Sequence, residues 1–167
     1  MVDTAAINEK FGVRENLSEE LLQTLFEFMM GFYYAEKRFF RLGASITQTA
    51  IYAYEMRRCV ESDPSNSDGI FTYFKQRYID SENAGYRLSG LTPNKPRDME
   101  RIAIALSKDN PSELDMISAN LMVLIRLRHN IFHANKFSSL EEEPEEQRRL
   151  IQISVDYLSA WLKAIPV

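Results

Sequence analysis

The sequence predicts an all-α protein, a compact helical bundle of five to six helices in a single domain over residues 1–167. Three observations predict this class. Apolar residues recur at helical rather than alternating spacing along almost the whole chain. No run of β-branched residues bounded by turn formers is long enough for a sheet. With 45% hydrophobic and 26% charged residues, the composition also excludes disordered, collagen-like and fibrous classes.

The first long helix is predicted at about residues 18–41. Ser18 is a suitable N-cap, and Glu19 and Glu20 favour the positive end of the helix dipole. Apolar residues follow at helical spacing, so this helix has one face for the core. We expect the aromatic residues from Phe26 to Phe40, including the two tyrosines, to belong to that core rather than to a base-stacking surface.

Four further segments lead to the middle of the chain. A second helix is predicted after Gly43, ending at the turn-forming residues 62–66. A shorter third helix follows at 67–79. Residues 80–97 contain glycines and prolines without a periodic apolar pattern, so we expect a surface loop there. A short helix is predicted at about 98–108.

Two helices complete the predicted bundle. Asn110 is expected to cap a long helix that has Pro111 at its first position and Glu113 three residues after the cap. This helix carries an apolar seam that runs into Arg128. The seam consists of Leu114, Ile117, Leu121 and Leu124. The final helix is expected from Pro144 to about residue 164.

Charge and cysteine content limit the partners and the compartment. Twenty Lys and Arg against 24 Asp and Glu give a net charge of -4, so any binding of nucleic acid must be local. The single cysteine, Cys59, cannot form an intrachain disulfide, which favours a reducing, cytoplasmic environment. The most apolar stretch, Leu25 to Ala35, is too short for a bilayer and contains Glu27, so we expect neither secretion nor membrane contact.

Both histidines of the chain lie within one helical turn. His129 and His133 stand at i and i+4, a spacing that can bind zinc. The glutamate of the His-Glu-x-x-His zinc motif is missing, because Asn130 occupies its position. Without cysteines or a third histidine nearby, we expect no metal and no other cofactor. The alternative is a pair of helix-end histidines favoured by the helix dipole.

Residues Arg128 to His133 read Arg-His-Asn-Ile-Phe-His, an arginine followed by four residues and a histidine. This motif resembles that of the HEPN superfamily, named for nucleotide binding in higher eukaryotes and prokaryotes. Family members usually carry a polar residue after the arginine, a place that His129 fills. The continuation over residues 132–136 is similar to the Leu-Phe-His-Gly ending common in the group. The resemblance implies an HEPN-like helical fold.

The resemblance implies a metal-independent endoribonuclease that cleaves single-stranded RNA, as a toxin or in antiviral defence. Arg128 would stabilise negative charge on the phosphorane, and His133 would act as general base or acid. The chemistry suits these groups, since a guanidinium stays charged and an imidazole exchanges protons near neutral pH. An antitoxin or a nucleotidyltransferase is among the partners that the resemblance implies. The alternative is a non-catalytic HEPN module that binds nucleotide or RNA, or that pairs with a nucleotidyltransferase or another effector. A helical scaffold that only mediates dimerisation is the third possibility.

Helix geometry favours a site built from two copies of the chain. Residues five apart differ by about 140° around a helix and by about 7.5 Å along it, so Arg128 and His133 do not share a face. HEPN proteins typically pair as dimers that bring two motifs together, and the apolar seam suits such an isologous contact. We therefore expect a homodimer with a composite site.

A second arginine competes for the phosphate-binding role. Arg126 lies six residues before His133, and Arg126, Asn130 and His133 share one helix face. The polar residue that follows Arg128 favours Arg128 instead, because Arg126 is followed by a leucine. We therefore predict Arg128 and His133 as catalytic, and Arg126, His129 and Asn130 as phosphate-binding or supporting residues.

Overall fold

The fold is all-α in a computed structural model that describes residues 3–12, 17–40, 43–133, 140 and 142–165. The described residues form helices and connecting turns, and none of them lies in a strand. A 3-10 turn, Ile46–Gln48, precedes α3, and a π-helical segment, Gln76–Asp80, continues α4. The α-helices of the described residues are eight in number: α1 (Thr4–Phe11), α2 (Glu19–Phe39), α3 (Thr49–Arg58), α4 (Ser67–Lys75), α5 (Ala84–Leu91), α6 (Pro96–Leu106), α7 (Glu113–Phe132) and α8 (Pro144–Ala164).

The prediction of five to six helices is too low, because α1 and α5 were not expected. Helix α5 lies inside the segment predicted as a surface loop. It places Ala84, Leu88 and Leu91 at i, i+4 and i+7, and all three are buried. Its two glycines, Gly85 and Gly90, have open space where a side chain would be. The buried face therefore outweighs the low helix propensity of the glycines.

Helix starts follow local hydrogen bonding, and one predicted start is wrong. Ser18 caps α2 as expected, accepting the backbone N–H of Leu21. The cap of α7 is Ser112 rather than Asn110, which adopts a left-handed conformation with φ of 48°. Ser112 and Asp115 form a reciprocal capping box. This box fixes the helix start two residues later than the sequence pattern predicts.

Asp115 is also strongly acidic. Hydrogen bonding from Lys108, followed by that from Ser112, lowers the pKa of Asp115 to about 2. The carboxylate therefore stays ionised at pH values below the ordinary pKa of 3.8, and the capping box keeps its charged acceptor there.

Helix α7 is the centre of the fold. It packs against α3, α4, α5 and α6, while α2 packs most extensively against α8. Three of the four seam residues, Ile117, Leu121 and Leu124, are fully buried in the core, and only Leu114 is exposed. The seam is therefore not available as a dimer surface, and that part of the dimer prediction is wrong.

The aromatic residues of α2 and its C-cap divide between core and surface. The buried members are Phe28, Phe32, Phe39 and Phe40. Phe26, Tyr33 and Tyr34 are each more than half exposed, so the expectation that the whole set is core is only partly correct. Within the described part of the chain, no helix combines the length and apolar character needed to cross a membrane.

Candidate active site

Some of the predicted site residues line a small cavity at the C-terminal end of α7. The cavity measures about 220 Å³ and is closed on one side by residues 44–47, which lead into α3. Asp98 of α6 forms part of another wall. Helix α7 contributes Arg126, Arg128 and His129. Three of the five predicted site residues therefore share one cavity.

Arg128 is held in place at the edge of this cavity. Its Nη2 donates a hydrogen bond to Oε2 of Glu36 at 3.2 Å. Its guanidinium lies over the rings of Phe32 and Phe132, with centroid distances of 5.4 and 5.1 Å. The side chain is still 36% exposed. Arg128 is thus fixed in orientation while part of the guanidinium remains open to a ligand.

Glu36 links the arginine to the cavity wall. Its Oε1 accepts the backbone N–H of Ala44 at 3.0 Å, while Oε2 accepts from Arg128. Both carboxylate oxygens are therefore engaged, and α2, the segment before α3 and α7 meet at this one side chain. Since α2 supplies both Glu36 and Phe32, the packing of α2 determines where the Arg128 guanidinium lies.

Arg126 is the arginine that interrupts the apolar surface of α7, rather than Arg128. Its side chain is 6% exposed, and Nη1 lies 3.6 Å from Oδ2 of Asp98. Nε donates to the carbonyl of Leu91 at 3.5 Å, and Nη2 makes no hydrogen bond. Burial lowers the pKa of Arg126, whereas Asp98 acts in the opposite direction. This guanidinium is committed to contacts inside the protein.

Asn130 is fully buried and is not among the described residues that line the cavity. Its Nδ2 donates to the carbonyl of Leu91 at 2.8 Å and to that of Gly90 at 3.3 Å. These carbonyls belong to the last turn of α5, which lacks helical partners for them. Asn130 therefore holds the end of α5 against α7.

The two histidines lie side by side at the end of α7. Their ring centroids are 4.4 Å apart. His129 is half-buried, and His133 is an exposed C-cap residue whose backbone N–H donates to the carbonyl of His129. Partial burial lowers the pKa of His129, and the nearby positive charge of Arg126 lowers it further. His129 therefore favours its neutral form.

The structure brings some predicted residues together and separates others. His133 is not among the described residues that line the cavity, although it contacts His129. Residues 134–136, which extend the motif, lie outside the described residues. Across the described ranges, no three His, Cys, Asp or Glu side chains converge in a way that could hold a metal ion.

Two functional candidates were missed from sequence. Glu36 lies 92 positions before Arg128, so no local pattern connects them. Asp98 has a weaker signal, since it is an acidic residue in the first turn of α6, where it also favours the helix dipole. Only the tertiary contact identifies either one as a neighbour of the motif arginines.

Comparisons with protein-family models, with curated proteins and with solved structures find no match to this chain. The motif and the geometry around it are therefore the features that indicate a function.

Proposed function

We propose that the protein is a metal-independent endoribonuclease of HEPN type that cleaves single-stranded RNA through a composite site in a homodimer. We assign it to the toxin or antiviral defence class of these enzymes. The observation that carries the proposal is the Arg128 guanidinium, which is fixed by Glu36 and two aromatic rings yet remains partly open beside the paired imidazoles.

The proposed reaction needs three groups. A base removes the proton of the ribose 2′-hydroxyl, whose oxygen attacks the neighbouring phosphorus. An acid protonates the departing 5′-oxygen, and a fixed cation stabilises the negative charge on the phosphorane. The products are a 2′,3′-cyclic phosphate and a 5′-hydroxyl. Arg128 supplies the cation, and His133 supplies the base or the acid.

The contacts around the two arginines favour Arg128 for the phosphate. Arg126 is almost completely buried and engages Asp98 and the backbone of Leu91. Arg128 is bonded only through Nη2 among the hydrogen bonds of its described side chain, and it borders the cavity. A phosphate needs an accessible guanidinium edge, so Arg126 supports the site from below.

A second copy of the chain would supply what one copy lacks. Arg128 borders the cavity while His133 lies exposed beyond it. Phe132, adjacent to His133, is 54% exposed and offers an apolar anchor for a contact at this end of α7. A two-fold contact there would bring the arginine of one copy close to the histidine of the other.

The test is cleavage of labelled single-stranded RNA by purified protein in excess EDTA. We expect cleavage with a 2′,3′-cyclic phosphate end, and its loss in Arg128→Ala and in His133→Ala. Arg148→Ala is the matched control, because it removes one partly exposed arginine on α8 that pairs with Glu145. Sedimentation velocity over a concentration series measures the fraction of the protein that is dimeric.

Two outcomes would contradict the proposal. Cleavage that survives in His133→Ala, or that a strictly monomeric protein performs, is incompatible with the composite site. RNA binding without cleavage by the wild type would instead support the non-catalytic HEPN module.

A further inference from the structure

A second cavity adjoins the candidate active site. It measures about 360 Å³ and lies over α7, between α3 and α6. We call the cavity of the candidate active site, lined by Arg126, Arg128 and His129, the charged cavity. Ile46 and Thr47 border both cavities, so the two share a wall. We call the second cavity the apolar groove, after the residues Ile46, Ala50, Ile104, Ala105 and Met122 that line most of it.

The hydroxyl groups that line the apolar groove each have a hydrogen-bond partner already. Ser118 Oγ donates to Thr49 Oγ1 at 2.9 Å, and Thr49 Oγ1 donates to the carbonyl of Ile46 at 3.2 Å. Thr47 Oγ1 lies 2.9 Å from Ser45 Oγ. The apolar groove therefore presents a satisfied, effectively apolar surface.

Charge is concentrated at one end of the combined space. Asp98 lines the charged cavity, and its carboxylate lies 3.6 Å from Arg126 and 3.8 Å from Arg101. Arg126, Arg128 and His129 line the charged cavity, whereas Arg101 is the only charged residue among the described lining of the apolar groove. Together the two cavities offer an anion site next to an apolar slot.

Size gives a second reason to consider them together. Small-molecule sites usually measure about 300–1,000 Å³. The charged cavity, at about 220 Å³, lies below this range, and the apolar groove at about 360 Å³ lies within it. A phosphate and part of a ribose suit the first space, while a larger, flat, apolar-faced group suits the second.

We infer that the apolar groove binds the nucleobase next to the phosphate held at Arg128, so that the two cavities together accept one nucleotide of an RNA strand. The inference rests on the proposed function and deepens it. A nucleobase has apolar faces and a polar edge. Its faces would pack against Ile46, Ile104 and Met122, and its edge would meet Arg101 at the rim.

The experiment compares nucleoside 3′-monophosphates with inorganic phosphate by isothermal titration calorimetry. We expect wild-type protein to bind the nucleotides about tenfold more tightly than phosphate, which corresponds to ~1.4 kcal/mol. Ala50→Trp fills the apolar groove and should remove this advantage. Ile51→Trp is the matched control, because Ile51 is the next residue on α3, is 58% exposed and is not among the described lining residues.

Ile104→Glu is the second variant. Ile104 is 66% exposed, so its replacement leaves the core intact while it places a negative charge beside the bound nucleotide. It should weaken nucleotide binding more than Ile51→Trp does. Equal affinity of the wild type for nucleotides and phosphate would overturn the inference, as would equal binding by Ala50→Trp and Ile51→Trp.

The RNA cleavage assay separates this inference from the proposed function. If nucleotides bind more tightly than phosphate but RNA is not cleaved, the nuclease proposal is rejected and the nucleobase site is supported. Cleavage without a nucleotide advantage rejects the nucleobase site alone. If Ala50→Trp dissociates a dimer that Ile51→Trp leaves intact, and nucleotide affinity is unchanged in both variants, a second copy covers the groove and the inference is overturned.

Discussion

Replacing Asn130 by alanine should destabilise the protein by detaching the end of α5 from α7. The change removes the donor that serves the carbonyls of Gly90 and Leu91, at 3.3 and 2.8 Å. A hydrogen bond contributes about 0.5–1.5 kcal/mol net, and a buried carbonyl left without a partner costs about 1–3 kcal/mol. Leu91 keeps only the long contact with Arg126. Two such bonds are lost, while Gly90 is exposed to water and Leu91 keeps its contact with Arg126, so we expect a loss of about 1–3 kcal/mol.

Urea denaturation followed by far-ultraviolet circular dichroism measures this loss. Asn83→Ala is the matched control, since Asn83 is an exposed asparagine at the other end of α5 and its side chain makes no capping hydrogen bond. The control should change the free energy of unfolding by less than about 0.5 kcal/mol. Hydrogen exchange should accelerate in α5 of Asn130→Ala before it does elsewhere. Equal stabilities of the two variants would refute the role assigned to Asn130.

Three further predictions concern charged groups. Glu36→Gln should release Arg128 and strengthen binding of a non-cleavable oligonucleotide by about threefold, with less than ~1 kcal/mol lost in stability, because the pair is partly exposed; unchanged affinity in a low-salt titration would contradict it. Asp115→Ala should lower the free energy of unfolding by about 1 kcal/mol at pH 7. Because the pKa of Asp115 is about 2 in the folded protein and 3.8 ordinarily, the difference in the free energy of unfolding between wild type and variant, measured by urea denaturation, should become smaller as pH falls from 3.8 towards 2. Because the pKa of His129 is lowered in the folded protein, His129 of the unfolded chain takes up a proton at a higher pH than His129 of the folded chain. The free energy of unfolding should therefore fall as pH decreases below 6.5, the ordinary pKa of histidine. His129→Gln should reduce that slope between pH 7.5 and 5.5, and an identical slope would contradict the assignment.

The sequence predicts the long helices well because their signals are local. Ser18 followed by acidic residues and a periodic apolar face marks α2 correctly. The start of α7 is missed by two residues, since Asn110 and Ser112 are both good capping residues and only the reciprocal bond with Asp115 distinguishes them. Helix α5 is missed because its glycines resemble a loop and its three buried residues find their partners only in the folded core.

The candidate site shows a different limit. Helix α7 is surrounded by α3, α4, α5 and α6, so most of its positions from Ile117 to Leu127 are buried. In a helix buried on all sides, apolar periodicity no longer identifies one face. The apolar seam therefore leads to Arg128 in the sequence pattern, whereas the arginine that is buried in the structure is Arg126. The partners Glu36 and Asp98 come from distant parts of the chain and require the tertiary structure.

The pairing of α2 with α8 has a consequence for synthesis in the cell. About a hundred residues separate the end of α2 from the start of α8. At translation rates of about 5–20 residues per second, α8 is synthesised roughly 5–20 s after α2, and the apolar side of α2 is uncovered during that time. During that interval Phe28 and Phe32 are open to chaperones. Arg128 likewise lacks its contacts with Phe32 and Glu36 until α2 docks, so a nascent chain would carry the motif without the complete candidate site.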